Sequence, residues 1–226
     1  MKIKNIALVG NPNCGKTSLF NTLTGTRQKV ANYAGVTVER KEGSFRLPSG
    51  DAVRVLDLPG TYSLKPSSLD EEVTRAVCLG ELKGEILPDI FICVVDATNL
   101  SLHLSLVLEV RALNRPMILV LNMMDEVKKR GISIDKDKLS QLLGIPVVEA
   151  VAVKTKGIQD LINQLDQKNL FITPYHSELS HFEQVKQITK QVILNNDSGD
   201  KRTAFLDKIF LHPVLGLVIL TLTMFV

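Results

Sequence analysis

The sequence predicts an open α/β sheet covered by helices, and three observations carry that prediction. Residues 89–95 (DIFICVV) and 116–121 (PMILVL) are continuous apolar runs of strand length, the mark of strands buried on both faces. The stretch between them is long enough for the crossover helix that two parallel strands need. A third apolar run, 3–9, ends in Gly10, and a helix follows over 16–24, so the chain opens as strand, tight loop and helix.

The other elements follow in order. Partial alternation over 38–47 and a short apolar run over 52–56 flank Pro48, Ser49 and Gly50, which predicts a hairpin. Ser68 followed by Glu71 has capping-box spacing and opens a helix to about residue 82. Over 100–111 the apolar residues fit both period two and a helix face. The crossover requirement selects helix. Helix over 136–143, strand over 147–153 and helix over 158–165 continue the alternation. From about residue 170 the texture changes. Leu179, Phe182, Val185, Ile188 and Val192 mark one amphipathic helix, and 195–201 reads as a loop.

Composition narrows the class. With 226 residues, 45% of them hydrophobic and 23% charged, the chain can build a sizeable core. A net charge of +3, spread along the sequence, makes no field for nucleic acid, so none is expected as a partner. Three cysteines without metal-ligand spacing fit a reducing cytosolic environment, and four histidines without ligand spacing argue against an iron site here. No secretory signal is read at the N-terminus. Residues 213–226 carry no charge and make about 21 Å of helix, short of the roughly 30 Å hydrocarbon core. They read as the opening of a membrane-spanning segment, approached by Lys201, Arg202 and Lys208 as from the cytoplasm.

The chemistry sits in four segments. Gly10 to Thr17 reads GNPNCGKT, a G-x-x-x-x-G-K-S/T phosphate loop between a predicted strand and helix. Its backbone N–H groups and the helix start would cradle phosphates, Lys16 would reach the β- and γ-phosphates, and the Thr17 hydroxyl would ligate Mg²⁺. Asp57, Leu58, Pro59 and Gly60 follow a strand. Asp57 is a candidate to hold Mg²⁺ through water, and the Gly60 N–H to sense the γ-phosphate. Thr37, in the polar stretch 32–39, is the candidate for a second Mg²⁺-ligating hydroxyl. Asn122, Met123 and Asp125 follow the strand ending at Leu121, and the Asp125 carboxylate matches the two donors of guanine, which adenine lacks. The 150–153 segment (AVAV) stands where a base-contacting loop belongs. Cys14, beside Lys16 at a helix start, admits two readings: a thiol of lowered pKa, or a small residue that fits the loop, which is preferred.

GNPNCGKT, GVTVE, DLPGTYSL, DATNL, LNMMDE and LHPVLGL together resemble the FeoB family of ferrous-iron transporters, over residues 2–157 and again near 206. The resemblance implies a Ras-like domain over 1–168, with a mostly parallel six-stranded sheet and one antiparallel strand. It further implies a short helical domain over 169–208 and the start of a membrane helix over 209–226. The implied activity is potassium-stimulated, magnesium-dependent GTP hydrolysis, regulating a ferrous-iron pore that lies C-terminal to this chain in the bacterial inner membrane, with this domain on the cytoplasmic side. Small cytosolic regulators and self-association are compatible with it. The nucleotide contacts it implies are Gly10, Asn11, Pro12, Asn13, Cys14, Gly15, Lys16, Thr17 and Ser18, then Gly35, Val36 and Thr37, then Asp57 to Gly60. Asn122, Met123 and Asp125, with Val151, Ala152 and Val153, would surround the base. Asn13 would bind K⁺, with first-switch carbonyls completing the shell, and Asn13, Lys16, Thr37 and Gly60 would act in hydrolysis.

Four features depart from the family pattern: Tyr33 and Ala34 for Trp-Pro, Val151 for Ser in the base loop, and a short 170–202 segment. Thr61 stands where many GTPases carry glutamine, so slow hydrolysis is expected. Two other readings stay open: a soluble RNA- or ribosome-associated GTPase, and a nucleotide switch that hardly hydrolyses.

Overall fold

The buried apolar runs do what their composition dictates and form the centre of one sheet. A computed structural model describes residues 3–25, 27–150, 155–167, 175, 177–195 and positions 210, 212, 216, 219, 221 and 223. Its strands are β1 (Asn5–Gly10), β2 (Gln28–Asn32), β3 (Glu39–Arg46), β4 (Ala52–Asp57), β5 (Ile90–Asp96), β6 (Met117–Asn122) and β8 (Val147–Glu149), in the order β2-β3-β4-β1-β5-β6-β8. A short β7 (Ser133–Ile134) pairs separately with β9 (Ile193–Asn195). The helices are α1 (Lys16–Thr24), α2 (Leu69–Leu79), α3 (Leu100–Ala112), α4 (Met124–Lys129), α5 (Lys136–Leu143), α6 (Thr155–Asp166) and α7 (His181–Val192).

The sheet has seven strands, where the resemblance implied six. The additional one, β2, lies on the edge and all five of its residues are exposed, so no alternation of apolar side chains announces it. It pairs antiparallel with β3, which is itself antiparallel to β4, so β3 alone runs against the rest. β1, β4, β5, β6 and β8 pair in parallel and bring their C-terminal ends to one edge. Ligands of open α/β sheets bind beyond that edge.

Local chemistry sets the boundaries. Ser68 accepts from the Glu71 N–H, as its cap spacing predicts. The helix ends at Leu79 rather than near 82, because Gly80 takes a left-handed φ of 75° and closes it. The ambiguous segment forms α3, with Leu100, Leu104, Val107 and Leu108 buried. The period-two leucines include Leu102, which is exposed, and this confirms helical spacing.

Two apolar layers enclose the sheet. One joins Ala7, Val9, Leu56, Phe91 and Leu119 to α2, α3 and α5, and the other joins Ile6, Leu8, Ile92 and Val120 to α1 and α6. The predicted amphipathic helix is α7. Ile188 and Val192 enter the first layer, and each fully buried aliphatic side chain contributes about 1.5–3 kcal/mol. Phe182 stays exposed. Buried Arg111 fastens this corner: its Nε donates to the Leu143 carbonyl at 3.0 Å and its guanidinium lies 5.2 Å from the Tyr175 ring centre. The Tyr175 hydroxyl in turn donates to Gln184 on α7 at 2.7 Å. Among the described residues no helix is long and apolar enough to cross a membrane. Residues 151–153, 196–209 and most of 211–226 lie outside the description, and with them Lys201, Arg202 and Lys208.

Candidate functional site

The loop between β1 and α1 curls because two of its residues adopt left-handed backbone, Asn13 at φ 62° and Gly15 at φ 87°. Gly10 brings it against β5: a Cβ there would lie 2.4 Å from the Val94 carbonyl oxygen and 2.8 Å from Cys14 Sγ. Gly15 caps α1 without a side-chain hydrogen bond, and the first turn holds no acidic residue. No acidic side chain competes for this helix start, which favours an anion.

Lys16 and Asp57 meet beneath this loop. Lys16 Nζ lies 2.5 Å from Asp57 Oδ1, and the Thr17 hydroxyl donates to Asp57 Oδ2 at 3.2 Å. Asp57 is 5% exposed at the end of β4, in register with Leu8 of the neighbouring strand. A buried ion pair stands only while both partners stay, so phosphate oxygens would compete with Asp57 for the ammonium. The Thr17 hydroxyl and the freed carboxylate are hard oxygen donors of the kind Mg²⁺ takes together with water, and the pair fits that ion.

Two adjoining cavities share Lys16, Thr17 and Gly60. One, of about 500 Å³, is also lined by Asn11, Pro12, Asn13, Gly15, Ser18 and Met123. The other, of about 240 Å³, continues past Asp57, Leu58 and Pro59 to Val38, Glu39, Lys41 and Asp70. Lys41 and Asp70 did not figure in the sequence reading. Lys41 had a signal, since it stands opposite Asp57 across the β3–β4 hairpin.

The first switch residues lie elsewhere. Tyr33 is buried, its N–H donates to the Val38 carbonyl at 3.0 Å, and the Val36 N–H returns to the Tyr33 carbonyl at 3.2 Å. Gly35 at φ 83° completes this turn, as a type II turn requires. Thr37 is exposed beyond it, and Gly35, Val36 and Thr37 line neither cavity. Of Asn13 and the first-switch residues expected around K⁺, Asn13 stands on the cavity wall.

The second switch is held firmly. Leu58 N–H donates to the Leu8 carbonyl, and the Pro59 carbonyl accepts from Thr74. Thr61 is fully buried, with its hydroxyl on the Ser63 carbonyl at 2.6 Å and Glu71 at 3.1 Å. Glu71 also accepts from Ser67 and the Tyr62 N–H, and these bonds, those from Ser67 foremost, hold its carboxyl down at about 2. The sequence suggested a capping residue; Glu71 proves to be the hub of the segment after Gly60.

At the base end, Asn122 is 3% exposed and its Nδ2 donates to the Cys14 carbonyl at 2.9 Å. Met123 takes φ 62° and starts α4, which sets half-buried Asp125 in its first turn. Ala150 is buried, with its N–H on the Leu121 carbonyl. Val151, Ala152 and Val153 lie outside the described residues. A thiol of lowered pKa at Cys14 is overturned: the side chain is 1% exposed, and burial pushes the thiol up to about 11 despite nearby Lys16. His103 is buried too, and its pKa is lowered by burial. Among the described residues no three His, Cys, Asp or Glu side chains cluster as a metal site.

The family model described as Ferrous iron transport protein B matches residues 4–165. The chain belongs to this family. It is 46% identical over 188 residues to the Fe(2+) transporter FeoB of Salmonella typhimurium, covering 81% of this chain and 23% of that protein. It thus spans about a quarter of the length of that FeoB relative. The fold matches the cytosolic domain of L. pneumophila FeoB with a TM-score of 0.75 at 32% identity, over 85% of this chain and all of that one. The cytosolic domain of T. maritima FeoB in its GMPPNP form matches with a TM-score of 0.73 at 33% identity and the same coverage. The sheet order and the FeoB likeness establish the Ras-like α/β fold that the motifs implied.

Proposed function

We propose that this chain is the GTP-binding and GTP-hydrolysing regulatory domain of a ferrous-iron membrane transporter, working on the cytoplasmic side of the bacterial inner membrane. The observation that carries the reading is the convergence of Lys16, Thr17 and Asp57 where two adjoining cavities meet, the larger of which reaches Met123, two residues before Asp125. The GMPPNP form of the T. maritima relative supports it. Lys16 leaves Asp57 for the β- and γ-phosphates, the loop N–H groups bind phosphate oxygens, and the Gly60 N–H turns to the terminal phosphoryl group. Thr17 and Asp57 would hold Mg²⁺, which would supply charge neutralisation across the phosphates. Thr37 would add the second hydroxyl, and Asp125 would select guanine.

Slow hydrolysis is part of the proposal. The hydroxyl of Thr61 is committed to Ser63 and Glu71, which leaves it unable to orient an attacking water. Potassium stimulation rests on Asn13 at the cavity wall. Residues 1–168 would form the nucleotide domain, 169–208 a short helical element that includes α7, and 209–226 the approach to the membrane part, with that part as the principal partner.

Titration calorimetry of GTP and ATP with wild type and Asp125→Ala tests the base reading. Wild type should prefer GTP strongly, and the variant should lose most of that preference. Equal affinity of wild type for both nucleotides would sink it. Single-turnover hydrolysis in K⁺ against Na⁺ buffer tests the rest, and equal, negligible rates would favour a bare switch.

A further inference from the structure

Asn11 is 1% exposed, and both Nδ2 and Oδ1 of its carboxamide are buried without a hydrogen-bond partner among the described residues. Leaving donor and acceptor both unpaired in the interior is unfavourable, and such a group in a native structure calls for a reason. The second switch rests on the phosphate loop on either side of this residue. On one side the Thr61 N–H donates to the Gly10 carbonyl at 3.2 Å. On the other Gly60 lies against Pro12, where a Cβ on Gly60 would stand 3.0 Å from the Pro12 nitrogen and 3.1 Å from its Cα. Asn11 lies between these two points of support.

We propose that Asn11 is a positioning residue whose carboxamide takes up the main chain of Gly60 and Thr61 when the second switch lifts off Gly10 to meet a terminal phosphate. Oδ1 accepts the Thr61 N–H that the Gly10 carbonyl gives up, and Nδ2 donates to the Gly60 carbonyl. The residue lines the nucleotide cavity, but its buried carboxamide acts through the second switch rather than on the reacting phosphate. It stabilises the triphosphate-bound arrangement over the diphosphate-bound one, because only the former gives its amide partners. The inference rests on the guanine-nucleotide reading above.

The test is calorimetry of GDP and of GMPPNP, each with Mg²⁺, on the chain carrying Asn11, Asn11→Ala or Asn11→Ser, with thermal unfolding and steady-state hydrolysis alongside. Asn11→Ala should weaken GMPPNP roughly fivefold, the worth of about one net hydrogen bond, and leave GDP unchanged. It should lower kcat more than it changes KM. The Tm should stay or rise, since alanine removes two unpaired buried groups. Asn11→Ser, which keeps a donor and an acceptor, should recover part of the GMPPNP preference. An unchanged ratio of the two affinities, or equal weakening of both with a lowered Tm, overturns the inference. If wild type binds neither nucleotide, the functional reading itself fails. If it binds both and the ratio ignores Asn11→Ala, the inference alone fails.

Discussion

Asn122→Ala should destabilise the protein even when no nucleotide is present. The Asn122 amide donates at 2.9 Å to the Cys14 carbonyl, ties β6 to the phosphate loop, and is 3% exposed. Alanine leaves that carbonyl buried without this donor, and an unpaired buried acceptor costs about 2 kcal/mol. For a chain of this size that lowers Tm by roughly 4–8 °C. The sequence holds no tryptophan, so far-UV circular dichroism is the suitable probe. The same variant should bind guanine nucleotide more weakly, since the loop carrying Gly15 and Lys16 loses its tether. An unchanged Tm in nucleotide-free protein, with affinity reduced, would show that Asn122 serves the ligand alone and refute the tether.

Three more outcomes follow from close contact and burial. Gly15→Ala places a Cβ 2.0 Å from Asn122 Nδ2 at a φ of 87°, so it should destabilise by about 1–2 kcal/mol from backbone strain plus the loss of that hydrogen bond. Combined with Asn122→Ala, which removes the obstructing amide, the loss in urea unfolding should be smaller than the sum, and strict additivity would contradict the clash. Burial pushes the thiols of Cys14 and Cys78 up to about 11 and about 12 from an ordinary 9.0, and that of Cys93 up as well. Stability linked to these raised values is fully present below pH 9.0 and drains away as pH rises through 11 to 12, because the unfolded chain ionises first. The urea midpoint should fall over that window, less so in Cys78→Ala, and a flat profile would refute it. Native Cys14 should likewise resist thiol alkylation at neutral pH.

Most of the sheet was legible because its central strands are buried on both faces. Continuous apolar runs such as DIFICVV have one stable use in a chain with flanking helices, and β5 and β6 lie within a residue of their expected bounds. Helix α3 was ambiguous by periodicity and was decided by the need for a crossover. Strand β2 gave no signal because all its side chains are exposed while its main chain does the pairing. Strands β7 and β9 were illegible for a related reason: each is two or three residues long, and each exists because the other, distant in sequence, lies beside it.

The site divides along the same line. Local sequence by itself marked the loop between β1 and α1 with Lys16 and Thr17, the carboxylate after β4 and the Asn-Met-Met-Asp segment as the candidate site. Glycine placement, strand ends and side-chain chemistry at short spacing fix what those residues can do. Only the tertiary structure decided that Asn122 holds the Cys14 carbonyl and that Glu71 gathers the segment after Gly60. It also decided that Thr37 lies away from the cavities, that the Cys14 thiol is buried, and that the Asn11 amide is unpaired among the described residues. Each of these depends on which distant backbone group comes within hydrogen-bond reach and on how much water remains there, and packing, rather than any local pattern, settles both.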